Sequence, residues 1–219
     1  MTKTPEKVWI YHIVHKDRLQ SIMDDGFLWS DAEARARSSA GTTVGMMGIK
    51  DRRLATSLSS HPDLTVGACV PFYFCPRSIM LFLLHRGNHP EVTYRGGQEP
   101  IVHLVSELPT TVAWAEENEL RWAFTLSNAG SSYFEDRSDL GALDEIDWNS
   151  VAATKWSGNG VSRQVKEGKQ AEFLVERCFP WTLVQGIGVR SEAVGRDVTR
   201  MMSGRAHRPT VKALPTWYY

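Results

Sequence analysis

A single carboxylate sits at the mouth of an apolar run, Lys169-Gln170-Ala171-Glu172-Phe173-Leu174-Val175, ahead of the turn signal Phe179-Pro180. Phe173, Leu174 and Val175 predict a buried strand. Before them lies a polar, glycine-bearing stretch, Ser157-Gly158-Asn159-Gly160 through Glu167-Gly168, which predicts a loop. A loop that feeds an acid onto a rigid strand suits a catalytic group. The competing reading is an exposed edge-strand glutamate, because charged residues lie at the surface by default. Lys50, Arg52 and Arg53 place three cations in four positions; they suit phosphate or carboxylate, or are simply solvated charges. His12 and His15 lie three apart across a strand-to-helix junction. Zinc would need further ligands at suitable spacing, and none follows, so structural histidines are the simpler reading.

Other chemistries drop out on motif grounds. No Gly-x-Ser-x-Gly elbow supports a serine hydrolase, and neither dinucleotide-fold nor P-loop glycine patterns follow a strand. Cys69, Cys75 and Cys178 are odd in number, lack metal-like spacing, and read as reduced core thiols of a cytoplasmic protein. The chain has 219 residues, enough for one domain over 1–219, with 25 basic and 25 acidic residues in balance. Global charge gives no pull toward nucleic acid, so such a substrate requires a local basic surface. The longest apolar run, Ile79 to Leu84, is too short to span a bilayer, and Met1 to Lys7 lacks the apolar core of a signal peptide.

The elements that would position these groups follow from pattern. Strands are predicted at Val8–Val14, Val70–Phe74, Ile101–Val105, Trp122–Thr125, Val184–Val189 and Thr210–Leu214. Helices are predicted at His15–Asp25, closed by Gly26, at Asp31–Arg37 capped by Ser30 or Asp31, at Thr110–Asn118 and at Glu192–Met201. Ile79–His85 reads as helix or strand, Asn128–Tyr133 as a small helix, and Ser38–Gly48 as a mobile loop. From Glu135 to Asp147 six acids face one arginine, a balance of −5, and from Trp148 to Gln170 four cations face one acid, a balance of +3. Many short strands without regular βαβ alternation argue for an α+β fold with a mainly antiparallel core.

Taken in order, Tyr11-His12-Ile13-Val14-His15, Ile49-Lys50-Asp51-Arg52-Arg53, Val70-Pro71-Phe72-Tyr73-Phe74-Cys75-Pro76-Arg77-Ser78-Ile79-Met80, Tyr94-Arg95-Gly96-Gly97-Gln98-Glu99-Pro100, Lys169-Gln170-Ala171-Glu172-Phe173-Leu174-Val175 and the terminal Trp217-Tyr218-Tyr219 resemble the DarT family of DNA ADP-ribosyltransferase toxins. The resemblance spans nearly the whole chain. It implies an ADP-ribosyltransferase-like fold, two packed, mainly antiparallel sheets with peripheral helices and NAD⁺ in the cleft between them, without a metal. It implies transfer of ADP-ribose to a base in single-stranded DNA, thymine in the branch that matches better and guanine in another; a protein acceptor is the alternative within the same chemistry. It also implies a macrodomain antitoxin as partner.

Carried over by position, Glu172 matches the catalytic glutamate. Arg53 matches the catalytic arginine, with Arg52 as the alternative and otherwise a cofactor contact. His12, Ile13 and His15 match the strand that holds the nicotinamide amide, and Tyr73 and Met80 match residues lining the nicotinamide and base pocket. The basic loop matches the substrate-recognition loop, with Trp148 and Trp156 as stacking surfaces and Arg163 and Arg77 as substrate contacts. Two departures stand out: Leu126-Ser127 replaces an Asp-Gly pair, and Ser59-Ser60-His61-Pro62-Asp63-Leu64 follows no family pattern. The residue types fit the reaction. Cleaving the nicotinamide–ribose bond builds an oxocarbenium-like charge that a carboxylate stabilises, as in glycoside hydrolysis. The same carboxylate can take the proton of the attacking base nitrogen. An arginine can orient the pyrophosphate or hold a carbonyl of the base.

Overall fold

The β-branched and aromatic runs form the strands of a computed structural model that describes residues 3–37, 41–131 and 133–219. In chain order these are β1 (Trp9–His15), β2 (Phe27–Trp29), β3 (Cys69–Tyr73), β4 (Ile101–Glu107), β5 (Trp122–Thr125), β6 (Asp136–Arg137), β7 (Glu172–Glu176), β8 (Cys178–Pro180), β9 (Gly186–Val189) and β10 (Thr210–Ala213). Helices α1 (Leu19–Asp25), α2 (Asp31–Ala36), α3 (Met47–Ala55), α4 (Ile79–Arg86), α5 (Leu108–Glu117), α6 (Trp148–Ala152), α7 (Arg163–Gly168) and α8 (Glu192–Met201) lie around them. An eight-stranded sheet runs β10-β9-β4-β1-β3-β7-β5-β6, and β2 pairs with β8 in a separate two-stranded sheet. All pairings are antiparallel except β10 with β9.

The large sheet divides at its centre. β1 pairs with β4 along its whole length, from Trp9↔Glu107 to His15↔Ile101, but with β3 only at Tyr11↔Tyr73. The cause is Pro71. Its carbonyl points toward β1, because it accepts from His12 Nδ1 at 2.7 Å. A strand residue directs N–H and C=O to the same side, so the donor that proline lacks is also missing on the β1 side. The two four-stranded halves of the sheet are therefore joined at one paired position. Phe72, Phe124, Phe173 and Phe179 fill the core behind it, all at most 1% exposed.

Local signals explain several element choices. Ile79–Arg86 is a helix rather than a strand because Ser78 Oγ caps it by accepting from Leu81 N–H, and Gly87 ends it in the left-handed region at φ 60°. Ser30 caps α2 through Glu33 N–H. Phe179-Pro180, expected to turn, instead forms β8, since buried Cys178 and Phe179 gain partners in Trp29 and Leu28. Of the expected helix over Asn128–Tyr133, residue 132 lies outside the described residues, and Ala129-Gly130 form a turn held by Asn128 Oδ1, which accepts from Gly130 N–H at 2.7 Å. The expected loop before Glu172 contains α7, capped by Ser162. Of the expected loop 38–48, residues 38–40 lie outside the described residues, and Met47 already begins α3. The unplaced stretch 59–64 closes an isolated Ser57↔Thr65 bridge, and the buried Asp136 carboxylate accepts from Ser59 N–H and Ser60 N–H, each at 2.8 Å.

The closing aromatics act as a clasp. The Tyr218 hydroxyl donates to the Ile101 carbonyl at 2.8 Å and lies 3.2 Å from both Gly188 O and His103 Nδ1. Tyr218→Phe leaves these groups short of a partner and is expected to lower stability by about 1–3 kcal/mol. A denaturant midpoint unchanged from wild type would contradict that.

Candidate active site

Beside the sparsely paired β1–β3 junction lies a cleft of about 480 Å³. Its walls come from β1, α3, β3, the first turns of α4, the 42–47 segment and the start of β7. The alternation of β7 sends Phe173 and Val175 into the main core and Glu172 to the cleft side. Glu172 and Tyr73 are directly paired across β7 and β3, so their side chains share that face. The Glu172 N–H donates to Thr125 Oγ1 at 3.1 Å, and the Thr125 hydroxyl donates to Ser127 O at 2.7 Å. The start of β7 is therefore fixed from β5 as well as from β3.

Arg53 meets Glu172 inside the cleft. Its NH1 and NH2 groups donate to Oε1 and Oε2 at 3.0 and 2.9 Å, with Arg53 9% and Glu172 4% exposed. This is the two-pronged fork that arginine makes with a carboxylate. Burial acts against the Arg53 cation, but the charge and hydrogen bonds of Glu172 outweigh it and the arginine pKa is raised. Each carboxylate oxygen accepts one of these N–H groups and keeps a second lone pair, so the acid can still accept from a bound hydroxyl. Arg52, one position away on α3, turns out of the cleft and donates to the Gly130 carbonyl at 3.1 Å, bracing the turn that carries cleft-lining Asn128.

Burial, foremost, shapes the other groups. It pulls the His12 pKa down to about 4, leaving the ring neutral near pH 7. The Pro71 carbonyl can only accept, so the proton sits on Nδ1 and Nε2 is an acceptor on a cleft-lining ring. Tyr73 has its hydroxyl pKa raised, by burial and then by the Glu172 charge, and stays protonated. Ile13 and Met80 also line the cleft.

The remaining expected site residues lie elsewhere. His15 caps the turn after β1, its Nδ1 accepting from Asp17 N–H at 3.3 Å, and does not line the cleft. Trp148 and Trp156 present no stacking face: both are under a tenth exposed. The Trp148 N–H donates to Leu143 O at 2.8 Å with its ring against Phe74, and that of Trp156 donates to the Tyr219 hydroxyl at 2.7 Å with its ring against Phe82. Arg163 is exposed and paired with Glu167 at 2.6 Å, one turn along α7. Arg77 lies over the Tyr219 ring at 4.2 Å. Lys169 is buried and donates to Val151 O, so the basic run before Glu172 reaches outward less than its composition implies. Lys50, from the cation cluster noted in the sequence, lines the cleft, as do Arg18, Asp31, Asn128 and the 42–47 segment, which were not singled out as site residues. The glycines and threonines at 41–45 were their only local trace. Among the described residues no group of three His, Cys, Asp or Glu side chains could hold a metal, and no helix is long and apolar enough to cross a membrane.

The family model described as "ssDNA thymidine ADP-ribosyltransferase, DarT" matches residues 11–219. The chain belongs to the DarT family. Among DarT relatives, the DNA ADP-ribosyl transferase of Thermus sp. (strain 2.9) is 34% identical over 217 residues, 98% of each chain. The solved structure of Thermus sp. 2.9 DarT in complex with ADP-ribosylated ssDNA superposes with a TM-score of 0.88 at 34% identity, covering 100% of both chains. The same DarT in complex with NAD⁺ superposes with a TM-score of 0.84 at 33% identity, over 99% of this chain and 100% of that one. The DarT likeness establishes the ADP-ribosyltransferase-like fold: the two sheets that the resemblance implies are an eight-stranded sheet and a small two-stranded one.

Proposed function

We propose that this chain is an NAD⁺-dependent toxin that transfers ADP-ribose to thymine in single-stranded DNA and releases nicotinamide. The observation that carries this reading is the buried, two-pronged Arg53–Glu172 pair at the cleft, in a chain alike end to end with a DarT solved on ADP-ribosylated ssDNA. The cleft residues suit NAD⁺: a neutral imidazole acceptor for the carboxamide N–H, an apolar wall at Ile13 and Met80, and an anion opposite the ribose. NAD⁺ supplies the activated N-glycosidic bond. Glu172 accepts from the ribose hydroxyl, stabilises the sugar cation, and takes the proton from the attacking base nitrogen as the new C–N bond forms. Arg53 holds that carboxylate in place and is near enough to steady a base carbonyl. The N–H of buried Trp156, bonded to Tyr219, helps shape the segment before β7, so this role replaces base stacking. A macrodomain antitoxin in the same cytoplasm is the partner that the family resemblance supports.

A panel of single-stranded oligonucleotides tests the acceptor. With NAD⁺, the mass of a thymine-containing strand should rise by one ADP-ribose, and replacing that thymine alone should remove the increase. A gain that follows guanine, or that appears on protein with DNA unmodified, would overturn the acceptor assignment.

A further inference from the structure

Four cations line the cleft: Arg18, Arg35, Lys50 and Arg53. Arg53 is committed to Glu172, Lys50 is paired with Asp31, and Arg35 donates to Asp51 at 2.6 Å. Arg18 is different. Among the described residues its guanidinium has no hydrogen bond, ion pair or aromatic partner, although it is half-buried in the cleft wall. The carboxylate nearest in sequence, Asp17, is bonded to Thr42 instead. It accepts from Thr42 N–H at 3.1 Å and from the Thr42 hydroxyl at 2.6 Å, which also removes those two donors from any ligand.

The segment that covers Arg18 is built to leave it room. Gly41 adopts φ +112°, a conformation that side chains rarely take, and a Cβ there would fall 2.5 Å from Arg18 Cγ. A glycine therefore lets the chain pass directly over the arginine stem while Asp17 pins the next residue. The result is a cation on the cleft wall that no carboxylate pairs with among the described residues, in a cleft whose inner arginine is already engaged.

We propose that Arg18, seated beneath Gly41, is the positioning residue for the pyrophosphate of the dinucleotide, a role that Arg53 cannot fill while it is paired with Glu172. This rests on the reading of the cleft as an NAD⁺ site. A doubly negative pyrophosphate is the ligand group that a lone guanidinium matches with charge-assisted hydrogen bonds. It would place the nicotinamide ribose toward Glu172 without taking part in bond cleavage.

Calorimetry on the full chain with two ligands tests the assignment. ADP-ribose carries the pyrophosphate; nicotinamide riboside carries the nicotinamide and its ribose but no phosphate. Arg18→Ala should weaken ADP-ribose binding by about tenfold or more and raise the KM for NAD⁺ in step, while nicotinamide riboside binding stays unchanged. Arg18→Lys should fall between, since a point charge replaces a planar fork. Gly41→Ala, which removes no charge but displaces the arginine stem, should weaken ADP-ribose selectively as well. Unchanged ADP-ribose affinity in Arg18→Ala, or equal weakening of both ligands across the variants, overturns the proposal. Failure of the wild-type chain to bind ADP-ribose at all overturns the NAD⁺ reading beneath it.

Discussion

Glu172→Gln is expected to eliminate ADP-ribose transfer, by at least about 10³-fold, because one group serves both the sugar cation and the proton of the incoming base. It is also expected to destabilise the protein. Arg53 is 9% exposed and, among the described residues, Glu172 is the carboxylate that it hydrogen-bonds. Removing one member of a buried pair leaves an uncompensated charge and costs about 3–5 kcal/mol. At this chain length that corresponds to a melting temperature lower by roughly 6–20 °C. The two effects separate in a double variant. Arg53→Met combined with Glu172→Leu removes both charges, so stability should return to near wild type while activity stays absent. A thermal melt beside a transfer assay reads both. A double variant as unstable as Glu172→Gln would mean that the pair itself, rather than a stranded charge, holds the fold together.

Acid should weaken this protein as the pH falls below about 6.5. Burial lowers the pKa of both His12 and His103 from 6.5 to about 4. In the unfolded chain each histidine binds a proton as pH falls below about 6.5, whereas in the folded chain neither does until about pH 4. The folded state thus binds fewer protons across that window. The stability present above pH 6.5 is lost progressively down to pH 4, on the order of 3 kcal/mol for each ring. Both rings are fixed at points that matter. His12 bridges the gap at Pro71, and His103 Nε2 donates to Pro76 O at 2.9 Å beside the Tyr218 clasp. Urea denaturation followed from pH 7 to pH 4 checks this. The wild type should lose midpoint steadily, and a His12→Gln, His103→Gln variant should show a flatter profile. Parallel profiles would place the acid sensitivity elsewhere.

What could be read from the chain alone was local. β1, β3, β4 and β7 announce themselves as runs of aromatic and branched residues, and Glu172 stands out as the acid that begins one of them. β8 does not, because three residues ending in proline carry turn chemistry and become a strand only when β2 arrives from about 150 residues away. The choice between Arg52 and Arg53 is a matter of helical phase. Neighbouring positions on α3 point about 100° apart, and which one faces Glu172 depends on how α3 docks. Trp148 and Trp156 read as stacking platforms because aromatics in a basic segment suit nucleic acid. Their actual partners, Phe74 and Phe82, come from β3's end and α4, more than seventy residues upstream. Arg18 carried no signal of its own, since an unpaired cation is recognised only once every neighbouring carboxylate is accounted for.

The proposed role of Glu172, held by Arg53, is to move ADP-ribose from NAD⁺ to a DNA base. Its most direct test is the intact mass of one thymine-containing single-stranded oligonucleotide after incubation with NAD⁺ and either the wild-type chain or Glu172→Gln. One added ADP-ribose is expected with the wild type, matched by released nicotinamide, and an unmodified strand with Glu172→Gln. An unmodified strand with folded wild-type protein, or equal modification by both, would contradict it.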